Sequence, residues 1–148
     1  MRKIKLLAVV FMASLFIGAN AFAQSIGVLN YKNVLMSYNY AKETIKTLDN
    51  KETELQQYML DKEKQYKNLT SPVERKSFEE KVQREYKAKV ESLSKIRMQK
   101  EEEIYNNIMN VAKRVATQKK IDVVIDSSVI LTGGTDITND VISGLNNK

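Results

Sequence analysis

The sequence predicts an α+β protein, in which a long antiparallel helical hairpin with coiled-coil character stands on a small β body completed by oligomerisation. Three observations point there. No glycine occurs between Gly27 and Gly133, a span of 105 residues, and the only proline is Pro72. That span is dense in Lys, Glu, Gln and Leu, all good helix formers, and it breaks once, at Asn68-Leu69-Thr70-Ser71-Pro72. Short β-branched and aliphatic runs lie only at its two ends, at Ser25–Asn30 and Ile121–Thr132.

Residues 1–23 read as a signal peptide. Met1-Arg2-Lys3-Ile4-Lys5 is basic, Leu6 to Ile17 is apolar apart from Ser14, and Ala21-Phe22-Ala23 is a small-x-small cleavage site. Cleavage after Ala23 and export to the periplasm are the expectations. The chain has no Cys, which removes lipidation at the cleavage site and disulfide bonding. Without its three basic N-terminal residues the formal charge of +6 becomes +3. From Lys42 to Lys120 there are 19 basic and 14 acidic residues, so the arm is the basic part. Export argues against nucleic acid as the partner of that charge. Acidic proteins, or transient contact with membrane phosphates, fit it better.

After the cleavage site, Ser25-Ile26-Gly27-Val28-Leu29-Asn30 reads as a strand, and Tyr31 to Met36 as the start of a helix capped by Asn30 or Asn33. The outgoing arm helix, from about Tyr40 to Leu69, carries a stripe in steps of four and three: Val34, Tyr38, Ala41, Ile45, Leu48, Glu52, Leu55, Met59, Lys62, Tyr66, Leu69. At the tip, Ser71 is a helix cap, Pro72 falls at the first helical position, and Glu74 follows three after Ser71. The returning helix, from about Pro72 to Gln118, follows Phe78, Val82, Tyr86, Lys89, Leu93, Arg97, Lys100, Ile104, Ile108, Val111, Val115, an eleven-residue rhythm with a polar centre. A seven against an eleven predicts loose or parted packing in the arm and tighter packing at its base.

Beyond the arm, Ile121-Asp122-Val123-Val124-Ile125-Asp126 and Val129-Ile130-Leu131-Thr132 read as two short strands, the first buried on both faces. Gly133-Gly134 reads as a turn, and Asp136 as the cap of a last helix with Ile137, Val141, Ile142 and Leu145 on one side. So small a sheet is marginal alone, so a candidate oligomer interface is assigned to Ile26, Val28, Val123, Val124, Ile125, Val129 and Leu131. The chain divides into the signal peptide 1–23, a body from 24–39 and 119–148, and an arm at 40–118 with its tip near 70–73.

Catalysis finds little support. With neither His nor Cys, no conventional nucleophile–base pair or usual zinc site is available. Asp122 and Asp126 share a strand face, but a strand start and a turn start explain them better than a metal or acid/base pair. Gly133-Gly134-Thr135 lacks the Lys-Ser/Thr of a phosphate loop. No cofactor or metal is expected. The arm also carries apolar residues outside its stripes: Tyr58, Leu60, Val90, Ile96, Met98, Tyr105 and Met109. Several are expected to face away from the partner helix, as candidate contacts for varied partners.

Both ends of the chain resemble the Skp/OmpH family of periplasmic chaperones. Ile26-Gly27-Val28-Leu29-Asn30 is similar to the family's opening strand, and Ile121 to Asp126 to its apolar strand with flanking acids. Asp136-Ile137-Thr138-Asn139-Asp140-Val141-Ile142 resembles its closing Asp-Ile-Thr motif, and Leu145-Asn146 its usual ending. The resemblance implies a Skp-like homotrimer whose arms enclose unfolded outer-membrane β-barrel proteins without ATP. The alternative is a structural or adaptor coiled-coil protein of the cell envelope, docking one folded partner.

Overall fold

The structure, a computed structural model, describes residues 24–147. The proposed signal peptide lies outside them. The element order is β1 (Ile26–Leu29), α1 (Tyr31–Ser37), α2 (Asn39–Lys67), α3 (Pro72–Gln118), β2 (Val123–Asp126), β3 (Thr135–Asp136) and α4 (Thr138–Asn146). The fold is α+β, mostly helical, with one small sheet.

The helix starts follow local chemistry. Asn30 Oδ1 accepts from the Asn33 backbone N–H at 2.9 Å and opens α1. The chain turns extended at Tyr38, between α1 and α2, and its side chain is buried there. Ser71 caps α3, its hydroxyl accepting from Glu74 N at 3.5 Å, with Pro72 at the first position where no N–H is required.

The sheet is parallel, in the order β2-β1-β3. Ile26 pairs with Val123 and Leu29 with Asp126, while Gly27 and Val28 pair with Thr135 and Asp136. Parallel neighbours require a crossover connection. Between β1 and β2 that crossover is the whole helical hairpin, so the arm is an enlarged loop of the body.

Two expectations for the strand region are corrected. Val129–Thr132 is not a strand. Asp126 Oδ1 accepts from Ser128 N at 2.8 Å and turns the chain into a short 3-10 segment, Ser127–Val129. Both edges of β1 are taken, one by β2 and the other by Thr135–Asp136, so the aliphatic run has no partner and Leu131 is fully exposed. The chain returns to β1 through Gly133 and Gly134, at φ of 90° and 85°. A Cβ on Gly134 would lie 2.5 Å from Val28 Cγ2, so that approach needs glycine for space as well as for conformation. The second correction concerns Val123–Ile125. Val124 packs against the core of its own chain, Ile125 is half-buried and Val123 is exposed, so the strand is not buried on both faces within the described residues.

The core sits where the arm meets the body. Val34, Ile108, Ile137 and Val141 are fully buried, with Tyr38, Ala41, Ile104, Val111 and Leu145 around them. Three of the four residues expected on one side of α4 are buried, and Ile142 is partly so. Among the described residues no helix is long and apolar enough to cross a membrane.

Candidate functional site

Most of the chain lies in α2 and α3, and three kinds of contact join them. Near the body the seam is apolar, with Ala41, Thr44 and Leu48 buried on α2 and Ile104, Ile108 and Val111 on α3. Polar contacts begin beside that seam, at the second residue of α2, and continue outward. Lys100 Nζ donates to Tyr40 Oη at 2.6 Å and to Glu103 at 2.8 Å. Those two bonds, the Glu103 one first, raise the Lys100 pKa, while Lys100 holds Glu103 below the usual carboxylate range. Farther out Arg97 pairs with Glu52. Tyr58 Oη then donates to Glu85 Oε2 at 2.6 Å, between Lys62 and Lys89, whose ammonium groups stand 5.2 and 5.0 Å from the Tyr58 ring centroid. Desolvation, and then the bond to Glu85, push the Tyr58 phenol up to about 12.

Alongside this polar tie and outward from it, side-chain burial falls. A groove of about 1000 Å³ opens between α2 and α3, with Leu55, Met59, Leu60, Tyr66, Phe78, Val82 and Tyr86 among its lining residues. Glu52, Glu63, Glu79 and Lys62 also line it. Lys62 lies 6.0 Å from the Phe78 ring centroid, and the Tyr66 and Phe78 rings are 6.4 Å apart. Only Val82 is buried in this outer half, and Met59 and Tyr86 remain exposed despite their places on the two stripes. Buried residues are concentrated toward the base, and the outer half keeps only Val82. A smaller cleft of about 330 Å³ shares Leu55 and is flanked by Lys51, Lys89 and Glu54.

The seven residues singled out as candidate contacts do not converge. Tyr58 is a correction to the outward-facing reading, since its hydroxyl is tied to α3. Leu60 is exposed in the large groove, and Ile96 is half-buried in the smaller cleft with Tyr58. Val90 and Met98 are exposed elsewhere on α3. Tyr105, half exposed near the body, stacks obliquely on Tyr31 at 6.4 Å, and Met109 is partly buried. The groove is built mainly from residues assigned to the seam. The clash of seven- and eleven-residue rhythms was the signal for it.

The candidate interface residues divide as well. Ile26, Val123, Val129 and Leu131 are exposed, whereas Val28, Val124 and Ile125 are half-buried within the chain. Asp122 and Asp126 hold the backbone. Asp122 Oδ2 accepts from Ser25 N at 2.8 Å, and Asp126 Oδ2 from Tyr31 N at 3.3 Å. Bonds from Ser128 hold the Asp126 carboxyl below its ordinary range, and bonds from Thr138 do the same for Asp136.

A family model described as "Outer membrane protein (OmpH-like)" matches residues 25–145, from the start of β1 to the end of α4. Among curated proteins no relative matches the chain.

Proposed function

The chain belongs to the OmpH-like outer membrane protein family, and on that premise we propose that it is an ATP-independent periplasmic holdase for unfolded outer-membrane β-barrel proteins. Family membership supports a periplasmic, chaperone-type role in general. The observation that carries the narrower reading is the weakly buried outer arm with its lined groove. Apolar and aromatic side chains that ordinary pairing would bury stand open along a groove flanked by charge. Such a surface makes many weak contacts and imposes no single geometry on a bound chain. Tyr and Met suit this because they are amphipathic or adaptable.

The same reading includes a homotrimer. Among the described residues no further strand pairs with the outer sides of β2 and β3, and Ile26, Val123, Val129 and Leu131 are exposed apolar residues of the sheet region. Open edges and apolar patches of this kind favour pairing with further chains. Sedimentation of the mature protein should give a trimer, and Leu131→Asp should weaken it. A monomer at micromolar concentration would remove oligomerisation from the proposal. Val124→Asp is the poorer probe, because Val124 packs against the core of its own chain.

The holdase is tested by diluting a urea-unfolded outer-membrane barrel protein into buffer with the mature chain and following light scattering. Suppression at near-stoichiometric ratio is expected. No suppression at any salt concentration would end this reading. Recovery of one folded partner in fixed ratio from an envelope extract would favour an adaptor instead.

A further inference from the structure

The groove differs in charge from the arm that carries it. Between Lys42 and Lys120 basic residues outnumber acidic ones by 19 to 14. At the groove the balance reverses, with Glu52, Glu63 and Glu79 against Lys62. Glu52 is engaged by Arg97 across the seam. Among the described residues Glu63 pairs with Lys67, one turn along the same helix at 2.6 Å, and both side chains are more than half exposed. Exposed pairs of that spacing are weak, so a cation arriving in the groove competes for Glu63 at little cost. Glu79 lines the groove from the facing helix, where Arg75 stands 5.5 Å from the Tyr66 ring centroid, and a carboxylate accepts more than one donor.

We propose that this groove selects client segments that are apolar and carry Lys or Arg, and disfavours equally apolar segments carrying Asp or Glu. The proposal rests on the holdase reading and names the class of segment held at that site. From Glu52 to Tyr66 the groove runs about 21 Å along α2, at 1.5 Å per residue. That length takes roughly six residues of extended chain. The apolar side chains of such a segment meet the aromatic and Met floor, while its basic residues reach Glu63 and Glu79 on opposite helices. The smaller cleft, flanked by Lys51 and Lys89, has the opposite bias, so the preference belongs to the groove and not to the arm as a whole.

The chain has no Trp, so Tyr86→Trp places a single indole on the groove without removing its aromatic surface. Two synthetic peptides of about eight residues, identical in their Leu and Phe positions and flanked by Lys or by Glu, are titrated against the mature Tyr86→Trp protein. At low salt the Lys-flanked peptide should bind about fivefold tighter, the scale of two exposed ion pairs. In about 0.5 M salt, where the screening length is only about 4 Å, the two affinities should converge. Adding Glu63→Lys and Glu79→Lys should reverse the preference. Equal or tighter binding of the Glu-flanked peptide at low salt overturns the proposal. So does a Lys preference that survives both substitutions, and so does an indole signal that depends on protein concentration alone, which would mean that a second copy fills the groove. Aggregation suppression is measured on the same protein. Suppression without a peptide preference removes the groove selectivity and leaves the holdase standing. A peptide preference without suppression does the reverse.

Discussion

The base of the arm and its outer half are made from the same two helices, yet one is closed and the other open. At the base small side chains, Ala41, Thr44, Ala112 and Ala116, are buried beside Ile104, Ile108 and Val111. Small residues at a contact let helix axes approach and aliphatic ones fill what remains. In the outer half Met59, Tyr66, Phe78 and Tyr86 line the groove, larger side chains that stay half-buried or exposed. Between the halves lie polar ties, Glu52 with Arg97 and Tyr58 with Glu85. They join the helices without excluding water as an apolar seam does. Side-chain burial therefore marks where this helical hairpin is structural and where it offers a surface.

The sharpest way to break this contrast is to delete the same kind of material from each half. Ile108 is fully buried. Ile108→Ala should cost about 3 kcal/mol in urea denaturation, through lost transfer energy and the cavity left behind. Val82→Ala removes methyl groups at the edge of a groove that can collapse, and should cost about 1 kcal/mol. Equal losses would mean that the outer arm is packed as tightly as the base.

Within the base the body is as constrained as the seam. Gly133 and Gly134 both have positive φ, so alanine at either costs about 1 kcal/mol in backbone conformation. At Gly133 the added Cβ meets nothing within 4 Å, whereas at Gly134 it falls 2.5 Å from Val28 Cγ2. Gly134→Ala should therefore destabilise by about 2 kcal/mol or more and loosen β3, while Gly133→Ala stays near 1. Amide exchange in the outer part of α2 should be unchanged in both. A matching rise in exchange there would show that arm and body are not separable.

Much of this division is legible in the sequence. Ser71, Pro72 and Glu74 mark the start of α3, and the end near Gln118 follows from where the apolar stripe stops. The face of α4 follows from its spacing. Thr135–Asp136 was not legible as a strand, since a two-residue polar pair carries no period. It pairs because β1 has an edge to offer and two glycines bring the chain back to it. Val129–Thr132 had the composition of a strand and lacked an edge. The groove was half legible: the clash of rhythms implied parting, but not that Tyr86 and Met59 would line the opening instead of closing it.

Acid should separate the two halves by a smaller margin and by a different mechanism. Asp126 and Asp136 in the body are held below their ordinary range by hydroxyl and backbone N–H donors. Glu63 in the arm is held down by Lys67, and Glu103 mainly by Lys100. A carboxyl whose folded pKa is depressed binds fewer protons when folded. Its stabilisation is complete above the unfolded value, near 4 for both residue types, and is lost as pH falls through the folded value. Both halves should therefore weaken below about pH 4. The donors to Asp126 and Asp136 are neutral, so the body's acid dependence should persist in about 0.5 M salt. The arm's part, resting on exposed ion pairs, should shrink there. Amide exchange from pH 5 to 2.5, at low and high salt, reads the halves separately, and Asp126→Asn with Asp136→Asn should flatten the body's response. An acid response of the body that salt abolishes would mean that charge pairs, and not capped turns, hold the strands to the helices.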